Sequence, residues 1–500
     1  MALLLLLFHY SPSPAEEPLA PPELTNNPSL DVVVTSRQPL FSFFGASGGT
    51  GAKSYTVQID TEKMFDSEDL IEYRDIPEEK NPKMGRRAIV SKRLEQEGAL
   101  VGKTVYFWRA RAVDENGAVG PWASSRFYYD PSADDAFMDL VRIPVVEIEV
   151  SSGQNAKNII DIDDPGQSTF WQAAPPGEKI PWVIFDFGRS HDVSRIWMLS
   201  NPDSIGGRLK DFKWQKSDDG SRWSDIEMAA IKGNGTFRNI IMFSAIRTRY
   251  LRLLISGWYG YAPQINAIIL YSPGKPPVPE APDEDYVLIV GNQQDGGTFT
   301  ELVDFVGKLD TGLRTITVPH YEVSLEMVEN LDTKPVAIIL SGNNADYSNL
   351  PMFEFNGEYE LIRESDIPIL GICCGHQQLA MAYGYTYAKS MGWEDISALE
   401  EPEDLSKIRI ERTDPVFEGI PDPFTAAEVH GWAIAVVPKE YEIIADSSYI
   451  QAIRNANRMI YGEQFHAEIN VEYNQGGPYL KNFLRMALEK YKKQGPGRRR

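Results

Sequence analysis

Residues 367–384 have the sequence IPILGICCGHQQLAMAYG, and this stretch decides the fold of the carboxyl-terminal part of the chain. IPILGI is a short apolar run, and helical spacing of apolar residues resumes at Leu379 and Ala382. The pattern predicts a strand that passes into a helix through a tight turn bounded by Gly371 and Gly375. A cysteine on such a turn stands above the sheet at the amino end of a helix, where the helix amides favour the nucleophilic thiolate. Taken alone, the turn fits an inert buried cysteine equally well.

Apolar runs upstream of this turn extend the same architecture. YVLIVG at 286–291 and PVAIILSG at 335–342 are almost continuously apolar, as parallel strands covered on both faces are. TFTELVDFVGKL at 298–309 and SLEMVENL at 324–331 have helical spacing. Strands that alternate with helices predict a doubly wound α/β domain with a mainly parallel sheet over residues 285–493.

A histidine and a glutamate near the end of the chain complete a candidate catalytic set. IYGEQFHAEI at 460–469 places His466 two residues before Glu468 on an apparent strand, so both side chains should point to one face. The glutamate can hold the imidazole tautomer while the histidine takes a thiol proton. In GICCGHQ only Cys373 is followed by one residue and then a glycine, as the turn requires. We therefore predict a Cys373, His466 and Glu468 triad.

Five motifs in this order resemble class I glutamine amidotransferases and the related γ-glutamyl hydrolases over about residues 285–492. They are LSG at 340–342, GICCGHQ at 371–377, TDPVFEGIP at 413–421, VHGW at 429–432 and YGEQFHAE at 461–468. The resemblance implies that Cys373 attacks a γ-carboxamide carbon and forms a γ-glutamyl thioester. It also implies that His466 acts as base and then as acid, with Glu468 orienting it.

The resemblance implies further roles for residues around the cysteine, and the sequence departs from the family pattern at three positions. The backbone donors to the oxyanion would be Gly342, Asn343 and Cys374. The substrate-binding positions would be Gln377, which holds the α-amino-acid end, and the backbone of His430 and Gly431. Asn343 stands where the family commonly has a second glycine, Ala467 where it has proline, and Glu463 where it has a small apolar residue. The first departure predicts a reshaped oxyanion loop, and Glu463 predicts an altered pocket or ammonia exit.

Residues 28–132 show the pattern of a β-sandwich. SYTVQID at 54–60 and TVYFWRARAV at 104–113 alternate polar and apolar residues, as strands with one buried face do. DENGAVGPW at 114–122 carries the turn residues of a hairpin. At 106–127 the segment resembles a fibronectin type III module, which implies a spacer or docking role.

Residues 138–272 are also rich in strand patterns and resemble discoidin modules, the coagulation factor V/VIII type C domains. The ordered landmarks are NIIDIDD at 158–164, TFWQ at 169–172, WVIFDFG at 182–188, SDDGSRWSDI at 217–226 and RYLRLLI at 249–255. The resemblance implies a jelly-roll sandwich of the galactose-binding type, whose end loops often hold sugars or lipid head groups. The candidate glycan-binding residues are Trp171, Arg208, Trp258 and Tyr259.

Two simpler interpretations of this module stay open. Its tryptophans, among them Trp171, Trp182, Trp197 and Trp223, are equally expected in a sandwich core, which would make the module architectural. Asp161, Asp163 and Asp164 could bind calcium through hard oxygen ligands, but an acidic turn explains them as well.

The remaining segments bear on processing and location. Residues 1–27 contain a short apolar run at 2–8 without a preceding Lys or Arg, a weak signal that favours export, with the cytoplasm as the alternative. The proline-rich stretch 273–284 predicts a stiff linker, and 494–500 a basic solvated tail. No other stretch approaches the ~18 apolar residues of a membrane-spanning helix.

Composition narrows the functional class. A chain of 500 residues is expected to hold about three domains. With 49 Lys and Arg against 71 Asp and Glu, the formal charge of −22 argues against a phosphate-tracking nucleic-acid binder. Two adjacent cysteines offer no disulfide framework. The histidines lack metal-ligand spacing and no nucleotide-binding loop is present, so no cofactor is predicted beyond the possible calcium.

The combined prediction is a multidomain protein with two β-sandwich modules followed by an α/β domain. The favoured function is a cysteine-dependent hydrolase that cleaves a γ-glutamyl amide, either glutamine or a conjugate. The first alternative is an amidotransferase subunit that supplies ammonia to a separate synthetase. The second is a non-catalytic scaffold that binds a surface or a glycan.

Overall fold

The computed structural model divides the chain into two compact units, Met1–Pro131 and Ser132–Arg500. The described residues are 18–24, 33–34, 37–51, 53–78, 89–102, 104–129, 131, 139–161, 169–174, 180–202, 204–345, 347–383, 387–394, 407–434, 437–447 and 449–493. The apolar run at 2–8 and the basic tail at 494–500 lie outside them. Within these ranges, no helix combines the length and the hydropathy needed to cross a membrane.

The first unit contains two β-sheets. Its strands are β1 (Glu23–Leu24), β2 (Val33–Val34), β3 (Leu40–Phe44), β4 (Ser54–Asp60), β5 (Ile71–Pro77), β6 (Ile89–Arg93), β7 (Thr104–Val113) and β8 (Ala123–Tyr129). One sheet has the order β1-β3-β6 and the other β2-β8-β7-β4-β5. Both of the runs predicted from alternation, β4 and β7, are strands, and they pair antiparallel.

An aromatic core joins these two sheets. Phe41 of one sheet packs edge-on against Trp108 of the other with ring centroids 5.3 Å apart. Phe127 contacts the same Phe41 ring at 5.7 Å. Along β7 every second residue is buried, because one face of the strand contacts this core. The unit therefore has the packing of a β-sandwich, and its assignment to the fibronectin type III family stays a prediction.

The second unit begins with the discoidin-like module. Its strands are β9 (Leu140–Arg142), β10 (Glu147–Val150), β11 (Trp171–Gln172), β12 (Trp182–Ser200), β13 (Leu209–Ser217), β14 (Ser224–Ile231), β15 (Arg238–Trp258) and β16 (Gln264–Pro273). The central order is β11-β16-β12-β15-β13-β14, with β10 beside β12 and β9 beside β16. The long strands β12 and β15 pair antiparallel with irregular register near Asp186 and Val193, where the sheet bends.

Both faces of this module are packed. Alternate residues of β12, such as Val183 and Phe185, join Trp214 in the internal core. On the other face, Trp197 and Tyr271 form a smaller apolar cluster that also contacts Phe353. Phe353 belongs to the α/β domain, so the module is packed directly against that domain.

The α/β domain follows the linker. Its strands are β17 (Tyr286–Gly291), β18 (Arg314–Pro319), β19 (Ala337–Leu340), β20 (Ile369–Ile372), β21 (Tyr387–Glu394), β22 (Arg409–Ile410), β23 (His430–Ile434), β24 (Tyr441–Asp446), β25 (Ile450–Asn455) and β26 (Ile460–Glu463). Its helices are α1 (Thr300–Lys308), α2 (Leu325–Glu329), α3 (Asn356–Glu364), α4 (Cys374–Met381) and α5 (Gly477–Lys493).

The main sheet of this domain has the order β18-β17-β19-β20-β26-β25-β24-β22. Strands β18 to β26 of that order run parallel, and the last three are antiparallel additions. Side chains of β17 alternate between two cores: Val287 and Ile289 pack with α1 and α5, and Leu288 packs with α2 and α3. This two-sided burial is the physical reason for the continuous apolar runs, and it confirms the doubly wound prediction.

Candidate functional site

The site is built on a strained turn between β20 and α4. The strand ends at Ile372, and Cys373 has φ +50° and ψ −100°, a conformation that residues other than glycine rarely adopt. A Cβ on Gly371 would lie 2.4 Å from the Gly375 backbone, and one on Gly375 would lie 2.2 Å from the Leu340 oxygen. Glycine is therefore required at both bounds of the turn, as predicted from the sequence.

His466 and Glu468 reach the same edge of the sheet. Strands β20 and β26 are parallel neighbours with Ile372 opposite Glu463, so the segments that follow them emerge together. Nδ1 of His466 lies 2.7 Å from Oε1 of Glu468, and the imidazole also interacts electrostatically with the Cys373 side chain. The structure thus brings the three predicted triad residues together.

The expectation that His466 and Glu468 share a strand face was wrong. Strand β26 ends at Glu463, and His466 lies beyond it in a turn. Asn474 holds this turn by donating from Nδ2 to the carbonyl oxygens of His466 (2.8 Å) and Ile469 (2.7 Å). The two side chains meet because the turn folds back, and not because of strand periodicity.

The electrostatics of the triad favour an ion pair. Burial lowers the pKa of His466, but the carboxylate of Glu468 and the sulfur of Cys373 outweigh burial and raise that pKa well above its ordinary value. The imidazolium is therefore the favoured form at neutral pH, and the Glu468 carboxylate at 2.7 Å is its counter-ion. The sulfur also lies at the amino end of α4, where the helix dipole favours negative charge.

The second cysteine has different surroundings. Sγ of Cys374 accepts hydrogen bonds from the Tyr347 hydroxyl (3.3 Å) and from Nε2 of Gln378 (3.6 Å). Burial raises the pKa of the Cys374 thiol well above its ordinary value, so it stays protonated. Sγ of Cys373 instead lies 3.6 Å from the Val429 oxygen and contacts His466. These contacts make Cys373 the better nucleophile of the two.

The loop after β19 passes close to the triad. A Cβ on Gly342 would lie 2.8 Å from the Phe299 ring and 3.2 Å from Cε1 of His466. The Asn343 side chain is engaged within the protein: its Oδ1 accepts from the Ala345 amide (2.5 Å), and its Nδ2 donates to the Asn292 oxygen. The loop that holds two predicted oxyanion positions is therefore anchored by the unusual asparagine.

The predicted substrate-binding residues lie on the other side of the turn. Nε2 of Gln377 donates to the Trp432 oxygen (2.7 Å) and to Oε1 of Gln464 (3.0 Å), while its Oε1 accepts from the Tyr347 hydroxyl (2.6 Å). His430 is buried and contacts Glu428 at 3.3 Å. Gly431 follows it on β23, next to Val429, whose oxygen contacts the Cys373 sulfur.

Tyr347 and Gln464, which hold Gln377, were not expected from the sequence. Gln464 lies inside the motif at 461–468, so that motif could have identified it as a candidate site residue. Tyr347 lies 30 residues from Gln377 and carries no comparable sequence pattern.

Glu463 places a carboxyl beside the triad. The residue is fully buried, and neither carboxyl oxygen has a hydrogen-bond partner among the described residues. Burial and the neighbouring Glu468 raise the pKa of Glu463 well above its ordinary value. Glu463 is therefore held neutral, and a second charge next to Glu468 is avoided.

The candidate glycan-binding residues of the discoidin-like module have mixed positions. Trp171 is fully buried and donates from Nε1 to the Ser152 oxygen at 3.0 Å, so it cannot stack on a sugar. For this residue the core interpretation is correct. Arg208 ties loops together by donating to the oxygens of Asn201, Pro202 and Gly235, and Trp258 packs against the module core.

One aromatic residue at this end of the module was missed. Tyr261 is 74% exposed and lies two residues after the half-buried Tyr259. The Tyr259 backbone is paired with Gly207 and Arg208, which joins the loops at 201–208 and 257–262 into one surface. Of the three aspartates considered for calcium, Asp161 is described, whereas Asp163 and Asp164 lie outside the described residues.

Comparison with known proteins gives two family matches. Residues 301–487 match the model of the glutamine amidotransferase class-I family, and residues 145–269 match the F5/8 type C domain. A subunit of the glutamine-hydrolyzing GMP synthase of Methanocaldococcus jannaschii is 31% identical over 184 residues, which are 36% of this chain and 88% of that protein. The glutamine-hydrolyzing GMP synthase of Thermosipho africanus is 36% identical over 168 residues, 33% of this chain and 29% of that protein.

Among solved structures, CpGH89CBM32-5 from Clostridium perfringens, in complex with GalNAc-beta-1,3-galactose, is similar to part of the chain. It has 16% sequence identity and a TM-score of 0.23, and the match covers 26% of this chain and 99% of that one.

Proposed function

The chain belongs to the class I glutamine amidotransferase family, and on this basis we propose that it hydrolyses a γ-glutamyl amide through a thioester on Cys373. The acyl donor is glutamine or a γ-glutamyl conjugate. One observation carries the proposal: the His466 imidazole contacts both the Cys373 side chain and, at 2.7 Å, the Glu468 carboxylate.

The first half of the reaction forms the thioester. The Cys373 thiolate adds to the γ-carboxamide carbon, and the carbonyl oxygen becomes an oxyanion. Backbone amides of the Gly342 to Asn343 loop and of Cys374 are the proposed donors, each worth on the order of 3 kcal/mol if preorganised. His466 then gives its Nε2 proton to the departing nitrogen, and the C–N bond breaks as ammonia or an amine leaves.

The second half of the reaction releases glutamate. His466, now neutral, takes a proton from water, and the oxygen of that water adds to the thioester carbon. Collapse of this intermediate breaks the C–S bond and restores the thiolate–imidazolium pair. The Nδ1 proton stays on His466 throughout and is donated to the Glu468 carboxylate in a hydrogen bond, which keeps the reactive tautomer facing the sulfur.

A second candidate function is supported by the family relatives. The proteins that match this domain include individual subunits of glutamine-hydrolyzing GMP synthases. In this alternative the ammonia formed at Cys373 serves a separate synthetase instead of being released. Glutaminase activity would then be low for the chain alone and would rise when the partner binds.

For the discoidin-like module we propose a carbohydrate or another surface ligand at the loops 201–208 and 257–262. The exposed ring of Tyr261 and the neighbouring Tyr259 offer the apolar faces on which sugar rings stack. Binding would localise the hydrolase to a surface. A glycan array with the full chain tests this, and absence of binding would leave the module architectural. Export and calcium binding stay predictions.

The enzymatic proposal is tested with the full chain. Glutamine and a panel of γ-glutamyl peptides are offered, and release of ammonia or amine is followed with and without a thiol alkylator. Cys373→Ala is the inactive control. Release from conjugates but not from glutamine supports the hydrolase. Silence on every substrate, with Cys373 unlabelled by a glutamine-mimicking electrophile, would reject the hydrolase and favour a scaffold.

A further inference from the structure

A buried ion pair joins the discoidin-like module to the α/β domain. Arg142, the last residue of β9, contacts Glu354 with two prongs: Nε to Oε1 at 2.7 Å and Nη2 to Oε2 at 2.5 Å. The two side chains are 14% and 3% exposed. The Tyr271 hydroxyl, also from the module, donates to the same Oε1 at 2.7 Å. Residues on two strands of the module therefore bind one carboxylate of the catalytic domain.

The same arginine also reaches the loop after β17. Its Nη1 donates to the Gln294 oxygen at 2.7 Å, and its guanidinium carbon lies 3.6 Å from the centre of the Tyr321 ring. The Gln294 side chain then donates from Nε2 to Oδ1 of Asn343 at 3.3 Å. Two hydrogen bonds and one residue therefore connect the discoidin-like module to the oxyanion loop.

The contact between Arg142 and Glu354 is rigid and stays charged. A two-pronged arginine–carboxylate pair fixes both distance and angle, which a lysine cannot do. Burial alone would raise the pKa of Glu354, but the Arg142 guanidinium outweighs burial and lowers it to about 2. The pair therefore stays charged at any physiological pH. Stability does not require such a pair, because apolar residues often replace buried ion pairs without loss.

We propose that Arg142 is a positioning residue for the oxyanion loop, acting through Gln294 and Asn343. The discoidin-like module thereby becomes part of the machinery that sets turnover, as well as a binding module. This inference rests on the proposed thioester chemistry. The link needs the asparagine at position 343, because glycine has no side-chain oxygen to accept the Gln294 hydrogen bond.

The expected effect is on turnover and not on substrate affinity. Loss of one oxyanion donor typically costs ~100-fold or more in kcat, so a loosened donor is expected to cost roughly tenfold. KM should change by less than about twofold, because the ground-state carbonyl depends less on these donors than the transition state does.

The variants are made in the full chain. Gln294→Ala removes the second link and leaves the ion pair intact, so it does not strand a buried charge. Arg142→Lys keeps the positive charge but cannot make the two-pronged contact with the Glu354 carboxylate. Arg249→Ala is the matched control, because Arg249 makes the same two-pronged pair with Asp186 inside the module, at 2.9 and 2.8 Å. Each protein is first compared with the wild type by thermal unfolding.

Two measurements decide the inference: kcat and KM for the γ-glutamyl amide that the wild type cleaves fastest, and amide hydrogen exchange of the loop at 341–345. We expect Gln294→Ala and Arg142→Lys to lower kcat roughly tenfold and to speed loop exchange, with Arg249→Ala unchanged. In an Asn343→Gly background, Arg142→Lys should cause no further loss, because the end of the tether is gone.

Unchanged loop exchange in both variants would overturn the inference. An equal loss of kcat from Arg142→Lys in the wild-type and Asn343→Gly backgrounds would also overturn it. If the wild type releases neither ammonia from glutamine nor amine from any γ-glutamyl conjugate, the proposed function fails separately, and the exchange measurement still decides whether Arg142 holds the loop.

Discussion

Glu358 on helix α3 provides a test of the buried electrostatics. The residue is fully buried, its Oε2 lies 3.5 Å from Nδ2 of Asn292, and its Oε1 has no hydrogen-bond partner among the described residues. Burial raises the pKa of the Glu358 carboxyl to about 8. The perturbation is Glu358→Gln, which keeps the shape and removes the ionisation.

The sign and the size follow from proton linkage. The unfolded chain ionises Glu358 near its ordinary pKa of 4.5, whereas the folded protein keeps it protonated up to about 8. The wild type therefore loses stability as pH rises from 4.5, and the loss levels off above 8. The penalty is about 1 kcal/mol at pH 5 and about 4 kcal/mol at pH 8. Glutamine has no such penalty, so its advantage should grow by about 3 kcal/mol between these two pH values.

The assay is hydrogen exchange of peptides from the buried strand β20, which reports unfolding of the α/β sheet. Wild type and variant share the same intrinsic exchange rate at each pH, and any pH-independent effect of the glutamine cancels between pH 5 and pH 8. The matched control is Glu364→Gln, on the exposed part of the same helix, which should show no pH-dependent gain. An equal gain for Glu358→Gln at both pH values would refute the argument.

Three further predictions concern the triad and the discoidin-like module. Cys373→Ala should abolish ammonia release and thioester formation, while Cys374→Ala should keep most activity; mass spectrometry with a glutamine-mimicking electrophile checks this, and the reverse outcome would move the nucleophile by one residue. Glu468→Gln should lower kcat by ~10²–10⁴ with little change in KM, because the Nδ1 proton loses its anionic acceptor; steady-state kinetics would contradict this with a loss of less than tenfold. Tyr261→Ala should weaken glycan binding on an array without a change in stability, whereas Trp171→Ala should cost roughly 3–5 kcal/mol in unfolding free energy; the opposite pattern would show that the buried and exposed roles were exchanged.

Much of the fold and of the reactive centre could be predicted from local sequence. The glycines at 371 and 375 required a tight turn, and the structure shows why, since a Cβ at either position would collide with backbone. The apolar runs of β17, β19 and β20 predicted parallel strands, and these strands are buried on both faces. Turn sterics and side-chain periodicity act over a few residues, so a single sequence carries them directly.

Other features needed the tertiary structure. His466 and Glu468 were expected to meet through strand geometry, but they meet in a turn after β26. Trp171 fitted a sugar platform and a core residue equally well until its burial was known. In each case the residue type was noticed from the sequence, and its role depended on what lies around it.

The discoidin-like module and the catalytic domain show most clearly which features the sequence determines and which features need the tertiary structure. The sequence by itself determined that two β-rich segments precede an α/β domain with a cysteine turn, because composition and periodicity are local. Only the tertiary structure decided that Arg142 pairs with Glu354, 212 residues away, and through Gln294 reaches the loop beside the cysteine. The physical reason is that a pairing between distant residues depends on how whole domains pack, and no short-range pattern of residues records that packing.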